Sequence, residues 1–172
     1  LNGGAVTLAL VTGSPASTTV NYIGMNGTNE MRFTYTVAAG NYSTDLDFVA
    51  IGSLQLVGAA TVRDETDVID AVLDLPAPGS ANSLAGQSNI QVDAANPTIG
   101  AIAAQSTLED TPVTVNFTVA DNISGGANVT MDPSSSDNTT VIPNGNIVLG
   151  GAAPNYSVTI TPAANRNSNT GP

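Results

Sequence analysis

The amino-acid sequence predicts an all-β protein made of two tandem β-sandwich modules. Three observations indicate this class: short runs of alternating apolar and polar residues, turn signals about every eight to twelve residues, and a proline-containing break near the middle of the chain. At 172 residues the chain is long enough for two modules of about 80 to 100 residues, a size at which a β-sandwich buries its own core. We place the first module at residues 1–95 and the second at residues 96–172.

The composition argues against several classes of function. The chain has 14 acidic residues against 3 basic ones, no histidine, no cysteine and a formal net charge of −11. So few cations cannot neutralise phosphates, and nucleic acid is therefore not a predicted partner. Without histidine or cysteine the chain lacks the usual general base, thiol nucleophile and zinc ligands, so we predict no catalysis and only oxygen-based metal chemistry, which suits calcium. No apolar run is long enough to insert this segment into a membrane.

The clearest strand signals of the first module lie near its start. Residues 5–12 alternate apolar and polar positions, and a Gly-Ser-Pro turn follows. Residues 17–25 and 30–38 then flank an Asn-Gly-Thr-Asn sequence, which predicts a β-hairpin.

A further strand is predicted over residues 44–58. Leu46 and Phe48 share one face there, and Asp45 and Asp47 share the other, with about 7 Å between the two acids along the strand. The sequence therefore predicts a pair of carboxylates on one side of the sheet.

An acid-rich segment follows at residues 60–79. Its apolar spacing is compatible with a helix over residues 65–75, but Pro76 and Pro78 close the run and favour an acidic loop that enters a short strand, Val72–Leu75. The final strand of the first module is expected at residues 89–93.

The joint between the modules and the strands after it are also visible in the sequence. Residues 90–100 end one strand, place Asp93 and Pro97 in a short linker, and begin another strand. The second module then shows one uninterrupted alternation, whose inward residues are Val113, Val115, Phe117 and Val119. A polar loop at residues 132–140 and two later strand-like runs near residues 147–149 and 156–160 complete the pattern, and about five to seven strands are expected in each module.

Several of these stretches resemble a known group of proteins. NPTIGAIAAQSTLEDTPVTVNFTVADN (residues 96–122), VIPNGNIVLGG (141–151) and YSVTITPAANRN (156–167) resemble the immunoglobulin-like or cadherin-like repeats that occur in tandem in very large bacterial surface proteins. FTYTVAAG (33–40), DLDF (45–48) and LPAPG (75–79) resemble a sister type of repeat. The resemblance implies two immunoglobulin-like sandwich modules, an extracellular or cell-surface location, and service in adhesins, stalks, sheaths or enzyme appendages.

Two departures from the repeat pattern concern the chain ends. The first module lacks its opening strands and the second lacks its last strand. Either the chain is a slice of a longer protein, or a neighbouring subunit supplies the missing strands by strand addition.

The resemblance also implies calcium, because cadherin-like repeats gather their ligands from the base of one module, the linker and the top of the next. Calcium takes six to eight oxygen ligands from carboxylates and carbonyls. The alternative is that these acids only cap turns, as Asp commonly does. The candidate metal ligands are Asp45, Asp47, Asp64, Asp67, Asp93, Glu109, Asp110 and Asp121.

Together these observations predict a structural or adhesive repeat segment of a bacterial cell-surface or extracellular filament protein, stiffened by calcium. Its expected partners are neighbouring repeats or identical subunits, with cell-surface glycans or proteins as further partners. The alternatives are a carbohydrate- or protein-binding module and a fibre subunit that exchanges strands between chains. Seven Asn-x-Ser/Thr triplets are candidate glycan acceptors: Asn26, Asn41, Asn116, Asn122, Asn128, Asn138 and Asn155.

Overall fold

The computed structural model is mostly β-structure, as predicted. It describes residues 2–25, 30–64, 66, 68–132 and 135–168. The chain divides into two compact units, Leu1–Ala95 and Asn96–Pro172.

The regular elements of the described residues are antiparallel strands of two to ten residues, a one-turn α-helix and two 3-10 turns. In the first unit they are β1 (Asn2–Val11), β2 (Ser17–Met25), β3 (Met31–Phe33), β4 (Tyr42–Ser43), β5 (Leu54–Thr61), α1 (Leu84–Gln87) and β6 (Val92–Asp93). In the second unit they are β7 (Thr98–Ile99), β8 (Val113–Ala120), β9 (Ile147–Ala152) and β10 (Asn155–Ile160).

The main sheet of the first unit has the strand order β3-β2-β1-β5. β2 and β3 pair in antiparallel fashion, which confirms the predicted hairpin. Apolar alternation in β1 buries Val6 and Leu10, as expected for a strand with one face on a core. β3 ends at Phe33, so the strand predicted over residues 30–38 is shorter than expected.

The core of the first unit forms where this sheet meets irregular chain and a second, two-stranded sheet. That small sheet pairs β4 with β6. The buried cluster consists of Leu10, Val20, Leu46, Phe48 and Val92. Two segments that are distant in sequence thus close one core, and the expectation that Leu46 and Phe48 face inward is confirmed.

Residues 44–58 do not form the single strand that was predicted. Phe48 makes only an isolated bridge with Leu10, and the strand begins at Leu54, after a 3-10 turn at Ile51–Ser53. Because strand geometry is absent at residues 44–47, Asp45 and Asp47 do not form a pair on one exposed face. Asp47 is instead 7% exposed.

The described residues of the acidic segment form a loop and no helix, as the sequence predicted. Ala71 N–H donates to the carbonyl of Val62 at 2.8 Å and Asp64 N–H to that of Ile69 at 3.1 Å, so the loop closes as a narrow ladder. The structure describes no strand at Val72–Leu75, so the strand predicted there is absent. The connection after it contains α1, a single helical turn that was not predicted.

The second unit is organised by one sheet with the order β7-β8-β10-β9. β8 shows the predicted alternation, with Phe117 and Val119 buried. The neighbouring β10 aligns Tyr156 with Phe117, and their rings stack with centroids 6.1 Å apart.

The described residues of the second unit form these four strands and no second sheet, fewer than the five to seven expected. Irregular chain, not a second sheet, faces Tyr156, whose hydroxyl donates to the carbonyl of Val129 at 2.9 Å. Val129 belongs to an irregular stretch between β8 and β9. Loop residues therefore provide part of the layer that a sandwich would build from a second sheet.

Candidate functional site

The predicted metal ligands that the structure describes lie in separate loops of the two units, except Asp93, which lies in β6. Among the residues that the structure describes, no three acidic side chains are grouped so that they could hold a metal ion. Asp67 lies outside the described residues. The described candidate acids that accept hydrogen bonds do so mainly from main-chain N–H groups, some close in sequence and some distant.

Asp47 is the most deeply buried of these acids. Its Oδ1 accepts from the Phe48 N–H and its Oδ2 from the Gly79 N–H, both at 2.9 Å. Burial disfavours the charged form, but hydrogen bonds from Gly79 and from the Ser83 hydroxyl outweigh it and lower the pKa of Asp47. Because Ser83 also caps α1 through Gly86, this carboxylate links α1 to the segment that enters the core.

Asp64 organises the acidic loop. Its Oδ2 accepts from the Thr66 hydroxyl at 2.7 Å, and its Oδ1 faces the N–H groups of Val68 and Ile69 at 3.2 and 3.3 Å. The hydrogen bond from Thr66, followed by the bonds from Ile69 and Val68, lowers the pKa of Asp64 despite some desolvation. The side chain therefore closes the loop on itself.

Asp121 and Asp110 play the same part in the second unit. Asp121 follows β8, and its Oδ1 accepts from the N–H groups of Ile123 and Ser124 at 2.9 Å each. These bonds, with that from Ser124 the larger, lower the pKa of Asp121. The Oδ1 of Asp110 accepts from the Asn165 N–H at 2.9 Å, which ties the start of the unit to residues beyond β10.

The remaining candidates have fewer contacts. The Oδ1 of Asp45 accepts from the Ile90 N–H at 3.2 Å. Asp93 is exposed on β6, where it pairs with Tyr42. Glu109 is exposed, and its main-chain carbonyl accepts from the Thr111 hydroxyl at 3.2 Å.

The sequence did not indicate one buried polar centre, at Asn41. Asn41 is 1% exposed, and its Oδ1 accepts from the Tyr35 hydroxyl and the Ala38 N–H at 2.8 Å each. Its amide Nδ2 donates to the Ser14 carbonyl at 3.0 Å. Three segments thus meet at one amide group, and no local sequence pattern distinguishes this asparagine from the many others in the chain.

The exposed face of the second unit's sheet carries a polar groove. On this face Asn116 and Thr118 of β8 lie opposite Ser157 and Asn155 of β10. The groove has a volume of about 290 Å³ and is lined by these four residues together with parts of Phe117, Gly151 and Tyr156. Amide and hydroxyl groups that both donate and accept hydrogen bonds therefore stand side by side.

Comparisons with known proteins do not assign the chain to a family. No protein-family model, no curated protein and no solved structure matches it. Across the stretches for which the structure gives coordinates, no helix has the length and apolar character that a membrane span requires.

Proposed function

We propose that this chain is a non-catalytic structural or adhesive segment of a bacterial cell-surface or extracellular filament protein. The observation that carries the proposal is the role of its acids: of the seven candidate carboxylates that the structure describes, five accept main-chain N–H hydrogen bonds. Carboxylates held in this way fix loops between strands. Fixed loops and short antiparallel strands suit a module that bears load, and the missing histidine and cysteine argue against catalysis.

A mechanical experiment tests the structural role. The chain is held at its two ends in a force-spectroscopy instrument and stretched. We expect two separate unfolding events, which release about 30 nm of chain for the first unit and about 25 nm for the second, since a residue spans at most about 3.3 to 3.6 Å when extended. Extension without force peaks would contradict a load-bearing role.

Calcium is the second part of the proposal, and its fit to the described residues is limited. The described acids form no group of three, and the carboxylates of Asp47, Asp64 and Asp121 already accept several hydrogen bonds each. The loop at residues 62–70 remains the preferred candidate, because it concentrates acids, one of which, Asp70, forms an ion pair with Arg63. Glu65 and Asp67 of this loop lie outside the described residues.

Calorimetric titration with calcium, together with thermal unfolding in calcium and in EDTA, tests this part directly. If calcium binds the loop, thermal stability rises with calcium, by about 2.7 kcal/mol at one hundred times the dissociation constant, and EDTA reverses the gain. Asp64→Asn then weakens binding, whereas Asp74→Asn, an exposed change in the same unit, leaves it intact. An identical melting temperature in calcium and in EDTA would refute the calcium part and leave the structural role standing.

The polar groove favours a binding module as the second candidate. Paired amide and hydroxyl groups match the hydroxyl groups of sugars, although the aromatic rings of Phe117 and Tyr156 stack on the opposite face of the sheet. A glycan-array screen followed by Asn155→Ala tests this candidate. A glycan that binds the chain and loses affinity in the variant would support it; absence of any bound glycan would oppose it.

A further inference from the structure

The sheet of the second unit has two edges that strands of the described residues leave open. On one side, β7 pairs only with Val119 and Ala120 of β8. On the other side, β9 is the outermost strand. The remaining length of β8 and the outer side of β9 are therefore sheet edges, where main-chain groups are available for another strand.

The direction of the main-chain groups in β8 follows from one hydrogen bond. Val119 N–H donates to the Pro154 carbonyl at 2.9 Å, on the side of β10. Because successive residues of a strand point their N–H and C=O groups to opposite sides, the even-numbered residues point away from β10. The Thr118 carbonyl accordingly accepts from the Gly100 N–H at 2.7 Å, whereas Thr114 and Asn116 direct their groups outward beyond the two residue pairs that β7 covers.

The same alternation applies to β9. Ser157 of β10 points away from β8, so it bonds to its partner Gly150 in β9. Leu149, the next residue along β9, therefore directs its N–H and C=O groups to the outer side. The Ile147 N–H already donates to the Asn144 carbonyl. The open edges therefore offer the main-chain groups of Leu149 and Gly151 on β9, and of Thr114 and Asn116 on β8.

Neither edge carries the protection that is usual for exposed strands. β8 (VTVNFTVA) and β9 (IVLGGA) contain no charged residue and no proline, and Val148 of β9 is 57% exposed. Natural proteins protect such edges with lysine, proline or bulges. The edge strands of the first unit have such features, since β3 contains Arg32 and β5 has a register shift against β1 near Gly58.

We propose that copies of this chain associate edge to edge, with β9 of one copy pairing with the open part of β8 of the next. A second copy fits because the two edges match in length and lack of charge, so one contact satisfies both. The edges lie on opposite sides of the same sheet, so the contact is head-to-tail and can repeat. It is independent of the proposed load-bearing role and of calcium.

Net charge sets the conditions under which this association is visible. Copies with a net charge of −11 repel one another at low ionic strength, and salt screens this repulsion over a distance of about 8 Å at 0.15 M. We therefore expect self-association to increase with salt, because the paired edges themselves contain no charge.

Two lysine variants test the pairing by sedimentation velocity. Asn116→Lys places a charge at the β8 edge, and Val148→Lys places one at the β9 edge. Each variant alone is expected to associate about tenfold or more weakly than the unmodified chain, the factor that corresponds to about 1.4 kcal/mol. Val57→Lys is the matched control, since Val57 is a 49% exposed valine in β5 and the change in net charge is the same.

Mixing the two variants gives the decisive result. The Asn116→Lys chain keeps an open β9 edge and the Val148→Lys chain keeps an open β8 edge, so an equimolar mixture is expected to form a dimer and nothing larger. Circular dichroism confirms folding, and Thr114→Lys replaces Asn116→Lys if the latter does not fold. The proposal is overturned if the unmodified chain stays monomeric at high salt, if Val57→Lys weakens association equally, or if the mixture forms no dimer.

Discussion

Removal of the Asp47 carboxylate is the sharpest test of how the first unit is held together. Asp47 is buried beside the core residues Leu46 and Phe48, and it accepts two main-chain hydrogen bonds, from Phe48 and Gly79. Asp47→Ala leaves both N–H groups without this acceptor, in a place that water reaches poorly. Asp47→Asn preserves the shape and one acceptor oxygen but removes the charge.

The size of the effect follows from the number of bonds. A hydrogen bond to a charged group contributes about 1.5 to 3 kcal/mol, so the loss of the two main-chain bonds, together with that from the Ser83 hydroxyl, is expected to cost about 3 kcal/mol or more in Asp47→Ala. For a unit of this size that corresponds to a melting temperature lower by about 12 to 24 °C. Asp47→Asn is expected to cost about half as much.

The pH dependence gives a second signature. Because the folded-state pKa of Asp47 is lowered, the ionised side chain stabilises the fold above its unfolded pKa of about 3.9, and this stabilisation is lost as the pH falls through the folded pKa. The stability difference between the unmodified chain and Asp47→Asn is therefore constant near neutral pH and shrinks below about pH 4.

Urea unfolding followed by circular dichroism at several pH values measures both effects. Asp74→Asn is the matched control, since Asp74 is exposed and its replacement is expected to change stability by less than about 0.5 kcal/mol. The Asp47 carboxylate would not hold the first unit together if Asp47→Ala unfolded at the same urea concentration as the control, or if the difference from Asp47→Asn persisted unchanged down to pH 2.

Three other predictions concern particular contacts. Gly13→Ala is expected to destabilise the chain more than Gly79→Ala: both glycines have positive φ, 76° and 74°, but a Cβ at Gly13 would meet the Tyr42 ring, whereas one at Gly79 meets nothing within 4 Å. Equal costs in thermal unfolding would contradict this. Tyr35→Phe removes the hydrogen bond to Asn41 and is expected to lower the free energy of unfolding by about 1 kcal/mol; an unchanged urea midpoint would contradict it. In a host that glycosylates Asn-x-Ser/Thr triplets, mass spectrometry of peptides is expected to find Asn41 unmodified, because its amide is buried and bonded; a glycan on Asn41 would show that the chain is modified before it folds.

The fold class and the strongest strands could be predicted because they depend on local alternation. The buried residues of β1 (Val6, Leu10), β2 (Val20) and β8 (Phe117, Val119) occupy apolar positions of the predicted alternation, and this pattern is visible in the sequence without knowledge of their partners. Residues 44–58 show where local alternation alone does not determine the backbone. Their alternation is correct for Leu46 and Phe48, but the backbone there is irregular because Phe48 meets β1 through a single bridge and the Asp47 carboxylate holds a distant loop.

The candidate site was harder to predict, because a carboxylate reads the same in sequence whether it binds a metal or a main-chain N–H. The partners of Asp45 and Asp110 lie 45 and 55 residues away along the chain, so no local motif could reveal them. Asp121 is different, since its partners are two and three residues ahead. The turn-capping alternative could be recognised from sequence there, as an Asp that follows a strand and precedes a polar turn.

The negative charge of the chain has two effects: its carboxylates fix loops within one copy, and its net charge repels other copies. Among the strands that the structure describes, β6 is the one that contains an acid, Asp93, so the negative charge of the chain resides mainly in loops. There the carboxylates of Asp47, Asp64 and Asp121 hold main-chain groups at hydrogen-bonding distance, where salt has little effect. Repulsion between copies acts over longer distances and is screened by salt. Raising the salt concentration should therefore promote pairing of the uncharged edges of β8 and β9 while the hydrogen bonds of these carboxylates keep the loops of each copy fixed.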